Sequence, residues 1–158
     1  MSAPSKLRDT VFILLPINSN EIKEEDIIRT LRRLCLFAFH SGKIPICPTL
    51  IHGTYMPPDE LSMQSKKLAW WWFKRSSEIW MHFLTGEEDL LDPLSYRLLE
   101  YNEVLKYDVR HSKDKQRKPV AKVFFVEEEA FIERVTRKEL SYLIRSNLTN
   151  GLFPEGVE

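Results

Sequence analysis

The sequence predicts an α/β fold in which helices flank a mostly parallel sheet of four to five strands. Three observations carry this. "TVFILLPI", residues 10–17, is a continuous apolar run, as expected of a strand buried on both faces of a parallel sheet. Strand-like and helix-like segments then alternate along the chain, which marks βαβ units with right-handed crossovers. The length of 158 residues, 43% of them hydrophobic and 29% charged, suits one domain spanning residues 1–158 around one core.

After the first strand comes "NSNEIKEED", where Ser19 or Asn20 is placed to cap a helix. Its opening turns carry Glu21, Glu24, Glu25 and Asp26, acids that complement the helix dipole. Ile27, Leu31, Leu34, Cys35 and Ala38 recur at helical spacing, and Gly42 closes the helix as a C′ glycine. "KIPICPTL" reads as a second strand, held near the sheet edge by Pro45 and Pro48. The loop "IHGTYMPP" leads to Asp59, the cap of a second helix running to Arg75. "SSEIWMHFL" is the third strand, and Asp92 followed by Pro93 opens a third helix with the apolar stripe Leu94, Leu98, Tyr101 and Leu105. Beyond the solvated loop "KYDVRHSKDKQRK", "PVAKVFFVE" is the fourth strand. The C-terminal helix opens with a capping box from Thr136 to Glu139, and Leu140, Leu143, Ile144 and Leu148 form its core face. These elements assemble as a three-layer sandwich of the Rossmann-like (flavodoxin-like) kind. Ligands of such sheets bind beyond the carboxyl ends of the strands, so the loops after Pro16, Pro48, Phe83 and Val126 are the expected site.

Composition narrows the function. Lys+Arg of 23 against Asp+Glu of 23 gives no net field, which argues against a dedicated nucleic-acid binder. The basic run Arg110, Lys113, Lys115, Arg117 and Lys118 is interleaved with Asp108 and Asp114 and reads as a solvated loop. Cys35 and Cys47 fit no metal spacing and read as buried free thiols of a reducing cytosol. His40 and His111 have no partners at metal spacing, and His82 reads as a packed histidine, so neither a metal nor a cofactor is expected. The polar start "MSAPSKLRDT" and the absence of any apolar run near the roughly 20 residues that span a bilayer imply a cytoplasmic protein with no membrane partner.

The succession of "VFILLPI", a helix ending in "LCLFAFHSGKIPICPTL", a loop, a helix and "SSEIW" resembles the nucleoside 2-deoxyribosyltransferase-like superfamily, in particular its small phage and bacterial branch. The resemblance covers about Thr10 to Phe83, with a weaker echo from "SYRLLEYNEV" to "KPVAKVFF". It implies a carboxylate that attacks the anomeric carbon of a nucleoside, forming a glycosyl-enzyme intermediate that a second base or water resolves. Glu100 in "LSYRLLE" stands at the nucleophile position, and Glu78 at the family's acidic position before the third strand; these are the expected catalytic residues. His52 and Tyr55 fall where a nucleobase would sit, and Asn18 and Ser19 where a ribose or phosphate would meet a helix N-terminus. Tyr96 replaces a family glycine beside the substrate, and no glycine occurs between Gly86 and Gly151. By helical spacing alone, Glu100 lies on the flank of the third helix's stripe and Glu103 opposite it, both as solvated residues.

The segment "LAWWWFKRSSEIWMHF" holds all four tryptophans. A stripe of Leu61, Ser65, Leu68 and Trp72 makes Trp72 core and Trp71 boundary, and leaves Trp70, Met63 and Phe73 on an outer patch rimmed by Lys66, Lys67 and Lys74. Such a patch marks a homo-oligomer (dimer) face or a docking surface for a protein partner, unless the C-terminal helix covers it. Two function classes follow. One is a nucleoside- or nucleotide-binding protein, catalytic at an N-glycosidic bond if active. The other is a non-catalytic interaction protein that works through the tryptophan surface; the bulky Tyr96 at the glycine position weighs toward it.

Overall fold

The computed structural model describes residues 8–17, 22–84, 91–103, 121–127 and 131–149. The apolar run beginning at Thr10 forms strand β1, Thr10–Leu14, buried along its whole length. It is followed by α1 (Glu24–His40), β2 (Ile44–Ile46), α2 (Pro48–Gly53), α3 (Pro58–Phe73), β3 (Glu78–Met81), α4 (Pro93–Glu103), β4 (Lys122–Glu127), β5 (Phe131–Arg134) and α5 (Arg137–Thr149). The sheet order is β2-β1-β3-β4-β5, with the first four strands parallel and β5 antiparallel to β4. The fold is therefore α/β with a five-stranded, mostly parallel sheet.

Alternation along β1 divides the core in two. Val11 and Ile13 cluster with Leu31, Leu34 and Ala38 of α1, together with Cys47, Trp80 and Val126. Phe12 and Leu14 cluster with Ala69 and Phe73 of α3, Leu98 and Leu99 of α4, and Leu140, Leu143 and Ile144 of α5.

The helix ends follow local chemistry, with some corrections. Ser19 and Asn20 lie outside the described residues; α1 begins at Glu24 behind Lys23, which makes no side-chain cap, and its first turn is acidic. Gly42, at φ 81°, ends α1 as expected, with Gly42 N donating to Phe39 O and Lys43 N to Ala38 O, the paired bonds of a Schellman ending. The second strand is shorter than its sequence suggests: Pro48 is the first residue of α2, because proline's fixed φ and missing donor suit a helix start better than a strand. The same preference starts α3 at Pro58, one residue before the expected cap Asp59. Asp92 caps α4 through Ser95 N at 3.1 Å, and Thr136 and Glu139 exchange both bonds of the capping box at 2.8 and 3.2 Å. Strand β5 lay hidden behind the acidic residues that follow β4.

Helix α3 is rotated by one residue, about 100°, from its expected register, and α4 keeps its expected Leu98 in the core but buries Asn102 and Glu103 rather than Tyr101. On α3 the buried positions are Ala69 and Phe73, with Phe73 fully buried in the core rather than on an outer patch. Trp70 and Trp72 flank that stripe on opposite sides, and both pack against the core. Trp70 meets Tyr101 of α4 edge-on at 5.3 Å, with the Lys74 ammonium 5.6 Å from both rings. Trp72 faces α2, donating its indole N–H to His52 Nε2 at 2.9 Å. Trp71, between them, points outward at 48% exposure under the Arg75 guanidinium, which lies 3.8 Å from its ring. The triplet thus binds a neighbouring helix on each side and leaves its middle ring outside. On α4 the buried set is Ser95, Tyr96, Leu98, Leu99, Asn102 and Glu103, which makes Glu103 a buried residue and not a solvated one.

The Trp72–His52 bond joins α2 to α3. A double-mutant cycle of Trp72→Phe and His52→Ala, read by urea unfolding, should give a coupling energy of about 1 kcal/mol. Strictly additive effects would mean that the bond contributes nothing in solution.

Candidate functional site

Among the described residues, His52 meets Tyr55 and Glu100 meets Tyr96, while Glu78 is held by Lys43 and Trp80. Asn18 and Ser19 lie outside the described residues. His52 sits on α2 between two neighbours: Trp72 N–H, a pure donor, makes Nε2 the acceptor, so Nδ1 carries the proton toward the Tyr55 hydroxyl at 2.7 Å. Glu78 opens β3 and is gripped at both oxygens, by Lys43 Nζ at 3.0 Å and by the Trp80 indole at 3.1 Å. The hydrogen bond and charge of Glu78 raise the Lys43 ammonium above its ordinary value of 10.5. Glu100, one α4 turn beyond Tyr96, accepts the Tyr96 hydroxyl at 2.9 Å, with Arg97 at 4.0 Å. Burial and this hydrogen bond push the Tyr96 phenol up, so it remains a proton donor to Glu100. Neither Glu100 nor Tyr96 lines the cavity described below.

At the carboxyl ends of the strands, Asp92 ties α4 to the chain after β1 by accepting Ile17 N at 3.3 Å. The histidine after β3, His82, donates Nδ1–H to the Val126 carbonyl at 2.7 Å. Both contacts are structural ties between neighbouring segments.

The described cavity lies at the other end. Its volume is about 700 Å³, and its wall is built where strands and helices begin or end at the amino side of the sheet. Arg8 and Asp9 precede β1, Ser77 precedes and Glu78 opens β3, and Ala121 precedes and Lys122 opens β4. Arg134 closes the antiparallel β5, Arg137 and Leu140 belong to the first turns of α5, and Glu103 ends α4. Four cations (Arg8, Lys122, Arg134 and Arg137) and three carboxylates (Asp9, Glu78 and Glu103) therefore line the cavity.

Glu103 gives this wall its chemistry. It is 2% exposed, and Arg137 Nε stands 3.9 Å from its Oε1. A buried carboxylate beside a guanidinium presents acceptor and donor side by side. Next to it on α4, the fully buried Asn102 fixes the cavity edge: its Oδ1 accepts Ala121 N at 2.7 Å, and its Nδ2 donates to Ala121 O at 3.0 Å. Sequence reasoning missed Glu103, Arg134 and Arg137. The available signal was a polar pair, Asn102–Glu103, one turn beyond Leu98 and Leu99, where only a partnered polar side chain can be buried.

Among the described residues, no group of three or more His, Cys, Asp and Glu side chains is placed to hold a metal ion. No described helix is long and apolar enough to cross a membrane. Comparison with family models, with curated proteins and with solved structures gives no match to the chain.

Proposed function

We propose that the chain is a Rossmann-like, three-layer α/β protein that binds a nucleotide-sized phosphorylated small molecule in the amino-end cavity. The observation that carries this reading is the cavity itself, about 700 Å³ and lined by four cations and three carboxylates, the buried Glu103 among them. That volume lies within the roughly 300–1,000 Å³ range of small-molecule sites. Arginine and lysine supply donors for phosphate oxygens, and the Glu103 carboxylate accepts hydroxyl donors such as those of a sugar. The division of labour fits nucleotides and sugar phosphates. It also keeps the nucleotide expectation from sequence while moving the binding residues away from Glu100, His52 and Tyr55.

The test is calorimetric titration with nucleosides, nucleoside monophosphates and diphosphates, and sugar phosphates. Phosphorylated ligands should bind at least ~10-fold more tightly than the matching nucleosides, a difference of about 1.4 kcal/mol. Arg134→Glu, at an exposed wall position, should abolish that preference, whereas Glu100→Gln should leave it intact. No binding by any phosphorylated member of the panel would remove the reading.

A second reading is a protein-docking surface on the outer face of α3. Met63 is 80% exposed and Trp71 48% exposed, eight residues apart and thus on neighbouring lines of the same helix face. If this face joins two copies, Trp71→Glu should halve the mass seen by light scattering without lowering the thermal midpoint. A wild-type protein that is monomeric at high concentration would exclude the self-association form of this reading.

A further inference from the structure

We propose that the outer surface where α2 meets α3 is a stacking site for single-stranded nucleic acid, with Tyr55 and Trp71 receiving bases and Lys67 and Arg75 receiving phosphates. Four aromatic rings cross this surface in successive contacts. Tyr55 meets His52 at 5.8 Å, His52 meets Trp72 at 6.2 Å, and Trp72 meets Trp71 at 4.8 Å. The two inner rings, His52 and Trp72, are partly buried and join the helices. The two outer rings are open to solvent, Tyr55 at 67% and Trp71 at 48%. Neither of them lines the amino-end cavity, so this surface is a second site and does not rest on the first.

The outer rings are held in place before any ligand arrives. His52 Nε2 accepts the Trp72 indole N–H, which leaves Nδ1–H for the Tyr55 hydroxyl at 2.7 Å. The Arg75 guanidinium lies 3.8 Å from the centre of the Trp71 ring and donates Nη1–H to the Trp71 carbonyl at 2.8 Å. A guanidinium carries more donors than this one bond uses, so the fork is fixed beside an exposed ring with donors left for a phosphate. Lys67 is exposed one helical turn before Trp71, on the same line of α3. From Lys66 to Arg75 the chain carries four cations and no acid, and the acids of α3, Asp59 and Glu60, lie in its first turn. The balanced charge of the whole chain therefore conceals a local excess of cations around Trp71.

An unpaired strand offers what these groups take: a flat base with a free π face, and a phosphate for every base. Aromatic rings set among cations hold single strands with little regard for sequence, because every base can stack. A duplex keeps its base faces inside its own stack and offers the rings nothing. Exposed rings alone would suit a protein partner as well, but cations beside them with no acid between select a polyanion.

The test is fluorescence anisotropy of the full chain with a labelled oligothymidylate of about 15 nucleotides and with a hairpin duplex of similar length. The single strand should bind more tightly than the duplex, with an affinity that falls as salt rises. Trp71→Ala and Tyr55→Ala, both at exposed positions, should each weaken binding at least about fivefold. Arg75→Ala should lower the slope of log affinity against log salt by about one. Arg134→Glu, in the amino-end cavity, should leave oligonucleotide affinity unchanged, which separates this surface from the nucleotide site. No binding at low salt, a duplex held as tightly as the strand, or a Trp71→Ala variant that binds like wild type would overturn the proposal. So would a doubled mass in light scattering that Trp71→Glu halves, with no oligonucleotide bound, because the surface would then be a contact between two copies.

Discussion

Replacing Phe73 by alanine is expected to destabilise the protein by about 3–5 kcal/mol. The ring is fully buried, meets Phe12 of β1 edge-on at 5.3 Å, and lies in the cluster that joins α3 to α4 and α5. Deletion removes the transfer free energy of the ring and leaves a cavity bounded by three elements that cannot all collapse into it. Trp71→Ala, two residues earlier, should cost under about 0.5 kcal/mol, because its ring is half in solvent, with Arg75 over one face and Trp72 at a T-shaped contact. Chemical denaturation of the two variants tests the helix register directly. A Trp71 variant as damaged as the Phe73 variant would place α3 in a different rotation.

The second large effect is at Asn102. Asn102→Ala leaves both the N–H and the C=O of Ala121 without their side-chain partner inside the fold, at about 1–3 kcal/mol for each group. A loss of about 2–4 kcal/mol is expected, together with weaker ligand binding, because Ala121 lines the cavity and opens β4. Asn102→Asp keeps the acceptor for Ala121 N but sets a carboxylate against Ala121 O, so it should rescue little. Full stability in the alanine variant would show that this clamp is not formed in solution.

The alternation of strands and helices was legible because it depends on local chemistry. The β1 run, the Gly42 ending, the Asp92–Pro93 start and the Thr136–Glu139 box each act within a few residues, and each appears where the sequence places it. The registers of α1 and α5 were legible, since Leu31, Leu34 and Ala38, and Leu140, Leu143 and Ile144, are buried as their spacing predicts; that of α3, and in part that of α4, was not. Choosing the most apolar stripe selects Leu68 and Trp72 on α3, and Leu94, Leu98 and Tyr101 on α4, of which Leu98 is fully buried. The buried faces also take in small or polar residues: Ala69 beside Phe73 on α3, and Ser95, Asn102 and Glu103 beside Tyr96, Leu98 and Leu99 on α4. Their burial depends on partners far along the chain, such as Ala121 and Arg137, which periodicity does not encode.

The candidate site was hidden for a related reason. Parallel sheets direct attention to the carboxyl ends of their strands. The amino-end wall is assembled from single residues of several elements, and an antiparallel β5 is needed to bring Arg134 to that end. Glu78 was found, but as the opening residue of β3 and a partner of Lys43 and Trp80. Glu100 accepts the Tyr96 hydroxyl and stands 4.0 Å from Arg97.

The most direct test of the amino-end site is a crystal structure of the chain grown with a nucleoside 5′-monophosphate. The account predicts phosphate density among Arg8, Lys122, Arg134 and Arg137, with a sugar hydroxyl on the Glu103 carboxylate. Ligand density at the carboxyl ends of β1 and β3, beside Ile17 and Asp92, would contradict it.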